Sequence, residues 1–120
     1  MKSNNVVREK SYAFALHLLQ VYKQSVSNNV SVRMVYTQVI RSGTSIGAFI
    51  EEAIGAESRA DFRHKISIAY KEARETEYWL RLLVDAHYLI EDDSLHLLEE
   101  CHELVRILGS IKKRIKSEEL

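Results

Sequence analysis

Apolar residues recur along this chain at alternating three- and four-residue steps, the spacing of one face of an α-helix. The pattern predicts helices over about residues 5–27, 31–57 and 59–90, and a fourth that carries the repeat from Leu97 to Ile115. No segment shows the strict alternation of a half-buried strand. The pattern therefore predicts an all-α protein.

Short polar clusters separate the predicted helices. Residues 27–29 and 91–94 are rich in Ser, Asn and Asp, whose side chains compete for backbone hydrogen bonds and favour turns. Ser58 is the predicted N-cap of the third helix, with the Asp61 carboxylate in its first turn. Helices joined by turns this short pack antiparallel to their neighbours. We predict one domain over residues 1–120, an antiparallel up-down-up-down four-helix bundle.

Composition supports a helical protein and bears on its location. The chain has no proline and four glycines among 120 residues, which suits long helices better than a turn-rich β fold. No apolar run approaches the roughly 18 residues of a membrane span, and the first ten residues show no apolar signal core. Its single cysteine, Cys101, excludes an internal disulfide and lies at a core-facing position. We expect a cytoplasmic protein without a membrane partner, and Cys101 as a small buried hydrophobe.

Helices two and three carry more apolar residues than one core-facing stripe needs. The additional positions form a candidate oligomer interface: Tyr36, Ile40, Gly43, Gly47, Ile50, Ile54, Trp79 and Leu82. Two glycines in a helix cost about 1 kcal/mol each relative to alanine, so close approach of another helix must offset them. One interpretation is a broad core-facing stripe within the monomer. The other is assembly into a homo-oligomer, because monomers rarely expose large apolar patches.

The charges balance overall but are distributed unevenly. The chain has 17 basic and 17 acidic residues, and the bundle topology gathers an excess of basic residues at one end. The candidate nucleic-acid-binding residues there are Arg59, Arg63, Lys65, Lys112, Lys113, Arg114 and Lys116. Such a cluster contacts phosphates in RNA or DNA, or is a solvated helix face. The sequence shows no aromatic residue interleaved with these basic ones, as binding by base stacking would require.

Motifs for catalysis or metal binding are weak. A di-iron bundle needs Glu-x-x-His on two helices and a Glu on each of the others. Glu99 and His102 have that spacing and Asp61 with His64 imitates it, but the core positions of helix four place Glu99 on the solvent side. No Gly-rich phosphate loop or nucleophile elbow is present. We expect no catalytic residues, no metal, no cofactor and no small-molecule substrate.

Two sequence blocks carry a family resemblance. They are GTSIGAFIEEA at residues 43–53 and SRADFRHK at residues 58–65, the latter followed by EARETEYWL at residues 72–80. The chain resembles, over nearly its whole length, the small four-helix-bundle proteins encoded within intervening sequences of 23S rRNA genes. That resemblance implies a ring-forming homo-oligomer, a pentamer in related bundles. Phe49 stands where the family usually has Asn, which removes any polar role at that position.

Two functional hypotheses follow. The first is a non-enzymatic oligomeric protein whose basic end contacts RNA or DNA. The second is a protein-interaction scaffold whose acidic or apolar surface holds a partner, with no nucleic-acid role. Salt dependence separates them, because phosphate contacts release counterions and weaken steeply as salt rises.

Overall fold

The computed structural model describes residues 2–25, 29–88 and 91–118, and these form four α-helices without a strand. The helices are α1 (Lys2–Ser25), α2 (Val30–Ile54), α3 (Arg59–Asp85) and α4 (Glu91–Glu118). The described part measures 49 × 22 × 21 Å. A helix of 28 residues is about 42 Å long, so the helices lie along the long axis beside one another. The prediction of an all-α fold with four helices is confirmed.

Polar side chains cap the starts of α2 and α3. Asn29 is extended at φ −74° and ψ 120°, and its side chain accepts hydrogen bonds from the backbone N–H groups of Ser31 and Val32. Ser58 is the N-cap of α3, because its hydroxyl accepts the backbone N–H of Asp61 at 3.0 Å. Each cap satisfies donors that the first helical turn leaves unpaired. The predicted capping role of Ser58 is confirmed.

The end of α2 and the start of α4 differ from the sequence prediction. α2 ends at Ile54 rather than near residue 57, because Gly55 caps it with its N–H on the carbonyl of Glu51. α4 begins at Glu91, so the acidic cluster predicted as a turn lies in its first helical turn. The other predicted turn residues 27 and 28 lie outside the described part of the chain.

α3 ends earlier than the apolar repeat indicates. Its last helical residue is Asp85, and His87, predicted on the apolar face, is exposed in a left-handed conformation with φ 60°. The N–H of His87 bonds the carbonyl of Val84, and the N–H of Tyr88 bonds the carbonyl of Leu83. This pair of bonds is a Schellman motif, which satisfies the last carbonyls of the helix. The prediction that the helix continues to residue 90 is wrong for residues 86–88, which are not helical. Residues 89 and 90 lie outside the described part.

The core is built from one stripe of each helix. The largest completely buried side chains include Phe14, Leu18, Ile46, Ile50, Ile66, Leu80, Leu97, Leu104, Leu108 and Ile111. α2 and α3 share the most extensive contact, and α1 and α4 close the bundle on the other side. Apolar burial of about 25 cal/mol per Å² drives this packing.

Helices α2 and α3 also share a buried polar contact. Ser42 and Thr76 are both completely buried, and their hydroxyl oxygens lie 2.8 Å apart. Each hydroxyl also lies within 2.8 Å of a backbone carbonyl of its own helix, on Gln38 and Glu72. The buried hydroxyls are therefore satisfied, and the contact sets the register of α2 against α3.

Gly43, next to Ser42, lies at a close approach of α2 to α1. A Cβ atom at Gly43 would clash with Cδ1 of Leu18, which is completely buried and has little room to move. Gly47, one turn later, is less constrained, since a Cβ atom there would stand 3.4 Å from the Ser11 hydroxyl oxygen. Packing therefore excludes a side chain at Gly43 and constrains Gly47 much less.

Ion pairs join the beginning of one helix to the end of its neighbour. Arg8 of α1 pairs with Glu51 of α2 at 2.6 Å, and Lys65 of α3 pairs with Glu52 of α2 at 2.9 Å. These pairs are half-exposed and add little stability. They show which helix ends lie close together.

The close approach at Gly43 predicts opposite effects for two alanine substitutions. Gly43→Ala should lower the free energy of unfolding by about 1 kcal/mol, because overpacking costs about 1–3 kcal/mol and the better helix propensity of alanine returns about 1 kcal/mol. Gly47→Ala is the matched control and should raise the free energy of unfolding by up to about 1 kcal/mol. Urea unfolding followed by circular dichroism measures both. Equal effects of the two substitutions would contradict the packing role of Gly43.

The left-handed residue at the end of α3 predicts a stabilising substitution. His87→Gly should raise the free energy of unfolding by about 0.5–1 kcal/mol, because glycine adopts positive φ without steric cost. His87→Ala keeps the steric cost of the left-handed conformation and should not stabilise. Thermal unfolding of the three proteins checks this, and a lower melting temperature for the glycine variant would refute it.

Candidate nucleic-acid interface

The seven predicted basic residues lie on two helices that pack together. Arg59, Arg63 and Lys65 belong to the start of α3, and the other four belong to the last turns of α4. Arg59 Nη2 lies 3.2 Å from a carboxylate oxygen of Glu118, which joins the first residue of α3 to the last residue of α4. The two basic segments are therefore at the same end of the molecule.

Two of the seven are neutralised by carboxylates. Arg59 pairs with Glu118, although the Arg59 side chain is still 80% exposed. Lys65 donates to Glu52 at 2.9 Å, and this hydrogen bond, with the carboxylate charge, raises the pKa of Lys65. Glu52 lies on α2, so the neutralising charge comes from a neighbouring helix. Neither residue contributes its full charge to a basic surface.

The remaining five differ in their surroundings. Arg63 and Arg114 are exposed and each has an interaction with another group. Lys113 and Lys116 are exposed, and within the described part of the chain they have no ion pair. Lys112 is half-buried, and its ammonium lies over the ring of Tyr70, 4.6 Å from the ring centroid. Of the seven, the three lysines without an ion pair in the described residues, Lys112, Lys113 and Lys116, all lie on α4.

Tyr70 is the residue that sequence reasoning missed. Its hydroxyl accepts a hydrogen bond from Arg74 at 3.2 Å, and the Arg74 guanidinium carbon lies 5.9 Å from the ring centroid. The ring crosses to α4 beside Gly109, where a Cβ atom would stand 3.4 Å from Tyr70 Cε1. The structure places Tyr70 among basic residues with which it is not interleaved in the sequence, but Lys112 lies over its ring, so it is not an open platform for base stacking. A glycine inside an otherwise well-formed helix was the available signal, because it marks a close contact.

We call Tyr70, Arg74, Lys112, Lys113 and Lys116 the Tyr70 patch. Lys112 and Lys116 are four residues apart and share one face of α4, and Tyr70 and Arg74 have the same spacing on α3. The hydrogen bond to the tyrosine hydroxyl raises the pKa of Arg74, whose guanidinium is charged in any case, and the Glu77 carboxylate acts in the same direction. The patch combines ordered cations with an uncharged partner, an arrangement that suits an anionic ligand.

The predicted oligomer interface is partly incorrect. Tyr36, Gly43 and Ile50 are buried inside the monomer, and the Tyr36 hydroxyl donates to the backbone carbonyl of Leu18 at 3.3 Å. These three cannot form an exposed second stripe. The reason is that α2 packs against both α1 and α3 and buries a wide face. At these positions the alternative of a broad core-facing stripe is correct.

The other five interface candidates are less buried. Ile40 and Trp79 pack against the core, and the Trp79 indole donates to Glu75 at 2.9 Å. Gly47 is half-buried against α1. Ile54 and Leu82 are 42% and 40% exposed and are the large apolar side chains of the set that face solvent.

Helix α1 presents a further apolar surface. Tyr12, Leu16 and Leu19 are exposed and recur at helical spacing along one face. Beside them runs an open groove of about 780 Å³ between α1 and α2, floored by small residues such as Ala15 and Ala48. Sequence reasoning did not select this face, because it assigned the surplus apolar residues to helices two and three.

The residues considered for metal binding or thiol chemistry are Glu99, His102 and Cys101. Glu99 is exposed, and His102 lies 2.7 Å from Glu77. Across residues 2–25, 29–88 and 91–118, no group of three or more His, Cys, Asp and Glu side chains is placed to hold a metal ion. Cys101 is completely buried, its thiol donates to the carbonyl of Ala73 at 3.4 Å, and burial raises its pKa. The predicted burial of Cys101 is confirmed.

Phe49, the position that the sequence analysis singled out, packs against the core. The ammonium of Lys65 lies 6.0 Å from its ring centroid. The side chain therefore contributes apolar packing beside the Lys65–Glu52 pair.

In the described residues, no helix is both long enough and apolar enough to cross a membrane.

Comparison with known proteins identifies relatives of this chain. Residues 3–110 match the family described as 23S rRNA-intervening sequence protein. A crystal structure of a protein of unknown function from the S23 ribosomal protein family of Bacteroides thetaiotaomicron is 43% identical. The similarity covers 92% of this chain and 98% of that one, with a TM-score of 0.82. Comparison with curated proteins found no match.

The family match covers most of the chain, and the structural similarity extends over the whole bundle at substantial identity. Both matches agree with the family resemblance that the sequence blocks on α2 and α3 carry. The chain belongs to the 23S rRNA-intervening sequence protein family.

Proposed function

We propose that this protein is a non-enzymatic, antiparallel up-down-up-down bundle that assembles into a homo-oligomeric ring and binds RNA or DNA weakly through the Tyr70 patch. It acts in the cytoplasm, where the thiol of Cys101 stays reduced. Pairs such as Arg8–Glu51 and Arg59–Glu118, which link the beginning of one helix to the end of the next, support the antiparallel topology.

One observation carries the nucleic-acid proposal. Lys112, Lys113 and Lys116 lie on one side of α4 without a carboxylate partner in the described residues, whereas Arg59 and Lys65 are paired. Unneutralised cations on a helix are the electrostatic requirement for phosphate contacts, because binding then releases counterions from the nucleic acid. The patch carries little base-reading chemistry, so we expect low sequence preference.

Separate apolar areas support self-assembly. The Tyr12, Leu16 and Leu19 face lies on α1, and Leu82 lies on α3. Interfaces in which one surface contacts a different surface of the next copy generate rings when the rotation closes. A pentameric ring of this kind would bury both areas and repeat the Tyr70 patch around one assembly. Repetition raises the effective concentration of weak phosphate contacts.

Neutralising cations without and with a carboxylate partner tests the nucleic-acid proposal. Lys112→Gln with Lys113→Gln should weaken binding to a single-stranded RNA of about 20 nucleotides and reduce the slope of log K against log salt by about 1.4, or about 0.7 for each lost phosphate contact on a single strand. Arg59→Gln with Lys65→Gln removes the same net charge and is the matched control. It should change the slope little, because both cations are already paired.

Fluorescence anisotropy between low and physiological salt gives both slopes. An equal loss in the two double variants would mean that only the overall charge matters, which would overturn the assignment to the Tyr70 patch. Absence of binding by the unchanged protein at low salt, where surface electrostatics are strongest, would leave the scaffold hypothesis in its place.

Exposed apolar residues provide the test of assembly. Leu16→Asp and Leu82→Asp should each dissociate the oligomer while the monomer stays folded, because both side chains are exposed and an aspartate there is buried only in an assembly. Leu95→Asp, at 46% exposure on α4, is the control and should remain assembled. Sedimentation equilibrium at micromolar concentration measures the mass. A 13.9 kDa species for the unchanged protein would rule out the ring.

A further inference from the structure

Tyr70 holds two cations of different helices at once. The hydroxyl accepts from Arg74 of its own helix at 3.2 Å, and the ring contacts Lys112 of α4 at 4.6 Å from its centroid. Both interactions involve one side chain, so the two positive groups belong to one local site. Gly109 leaves space for the ring against α4, where a Cβ atom would be in tight contact with it.

The uncharged nature of this partner distinguishes the site from the ion pairs nearby. Glu52 orients Lys65 but also cancels its charge, and Glu118 does the same to Arg59. A phenol orients a cation through its hydroxyl and its ring face without supplying a negative charge. Tyr70 therefore orders Arg74 and Lys112 in advance without cancelling their charge. The Glu77 carboxylate also acts on Arg74, but its own close partner is His102, at 2.7 Å.

We propose that Tyr70 is the positioning residue of a phosphate-binding site in which Arg74 and Lys112 together hold a phosphodiester group of a nucleic-acid backbone. The inference rests on the proposed function and names its central contact. Arg74 supplies planar donors that suit phosphate oxygens, and Lys112 supplies a compact charge. Because Lys112 lies over the ring, Tyr70 acts through the cations rather than as a surface for base stacking.

Ordering the cations in advance has a measurable consequence. A long side chain that is free before binding must lose rotamer freedom when it contacts a phosphate, and this loss weakens binding. Tyr70→Phe retains the ring beneath Lys112 and removes the acceptor for Arg74. The effect of the hydroxyl on binding should therefore depend entirely on the presence of Arg74.

A double-mutant cycle tests this dependence. Affinity for a single-stranded uridine RNA of about 20 nucleotides is measured for the unchanged protein, Tyr70→Phe, Arg74→Gln and the double variant. Tyr70→Phe should weaken binding about three-fold, a factor consistent with ordering one side chain. Arg74→Gln should weaken it about ten-fold and reduce the salt slope by about 0.7, as for one phosphate contact on a single strand. The double variant should bind as Arg74→Gln does.

A second pair of variants examines the ring. Tyr70→Leu removes both interactions and should bind more weakly than Tyr70→Phe. Adding Lys112→Gln should cost less affinity in the Tyr70→Leu background than in the unchanged protein. Thermal unfolding of every variant identifies any loss that is due to folding alone, because such a loss would lower the melting temperature without coupling to Arg74 or Lys112.

The possible outcomes separate this inference from the proposed function. If the unchanged protein binds RNA but the losses for Tyr70→Phe and Arg74→Gln are additive, or if neither variant differs from it, Tyr70 does not position Arg74 and the inference is wrong. The broader proposal then still stands on Lys112 and Lys113. If the unchanged protein does not bind, both fail. Displacement of the RNA by inorganic pyrophosphate at equal concentration would assign the site to a small phosphate compound and overturn the backbone assignment.

Discussion

The packing of α2 between α1 and α3 is the constraint on which the rest of the bundle depends. At Ser42 and Gly43 the helix has no room for a larger side chain on one side and forms a buried hydroxyl contact with Thr76 on the other. A buried hydroxyl that loses its partner costs free energy, so the register of α2 against α3 is strongly specified. The remaining helices then pack against a central pair whose relative position is set.

That register also decides which charges neutralise each other. With α2 beside α3, the carboxylate of Glu52 meets Lys65, and Arg41 lies between Glu72 and Glu75. The other side of α3 faces α4, where the partner of Lys112 is the ring of Tyr70. A chain of zero net charge thus has basic residues that carboxylates neutralise, Lys65 and Arg59, and a basic residue, Lys112, whose partner is an uncharged ring. Net charge and linear charge runs do not reveal this difference, because it depends on which helices are neighbours.

The family shares this fold but does not supply an activity, since the structurally similar Bacteroides protein is also of unknown function. In this chain the glycine at position 43 of helix two has a physical role in close helix packing, and Phe49 is part of the apolar packing. A function must therefore be argued from surfaces such as the Tyr70 patch rather than from the fold.

The sequence alone determined the number of helices and the helical class, because a three- and four-residue apolar repeat is compatible with no other regular structure. It also determined the cap at Ser58 and the burial of Cys101, since both depend on residues close in sequence or on one helix face. The end of α3 was misjudged, because a Schellman motif at His87 overrides the apolar repeat.

The tertiary structure decided which surfaces remain free. It buried Tyr36, Gly43 and Ile50 within the monomer, neutralised Arg59 and Lys65, and brought Tyr70 to Lys112. Each of these outcomes joins residues on different helices, and helical periodicity assigns a residue to a face without specifying what packs against it. The physical reason is that side-chain partners across helices depend on register and neighbour order, which only the packed bundle establishes.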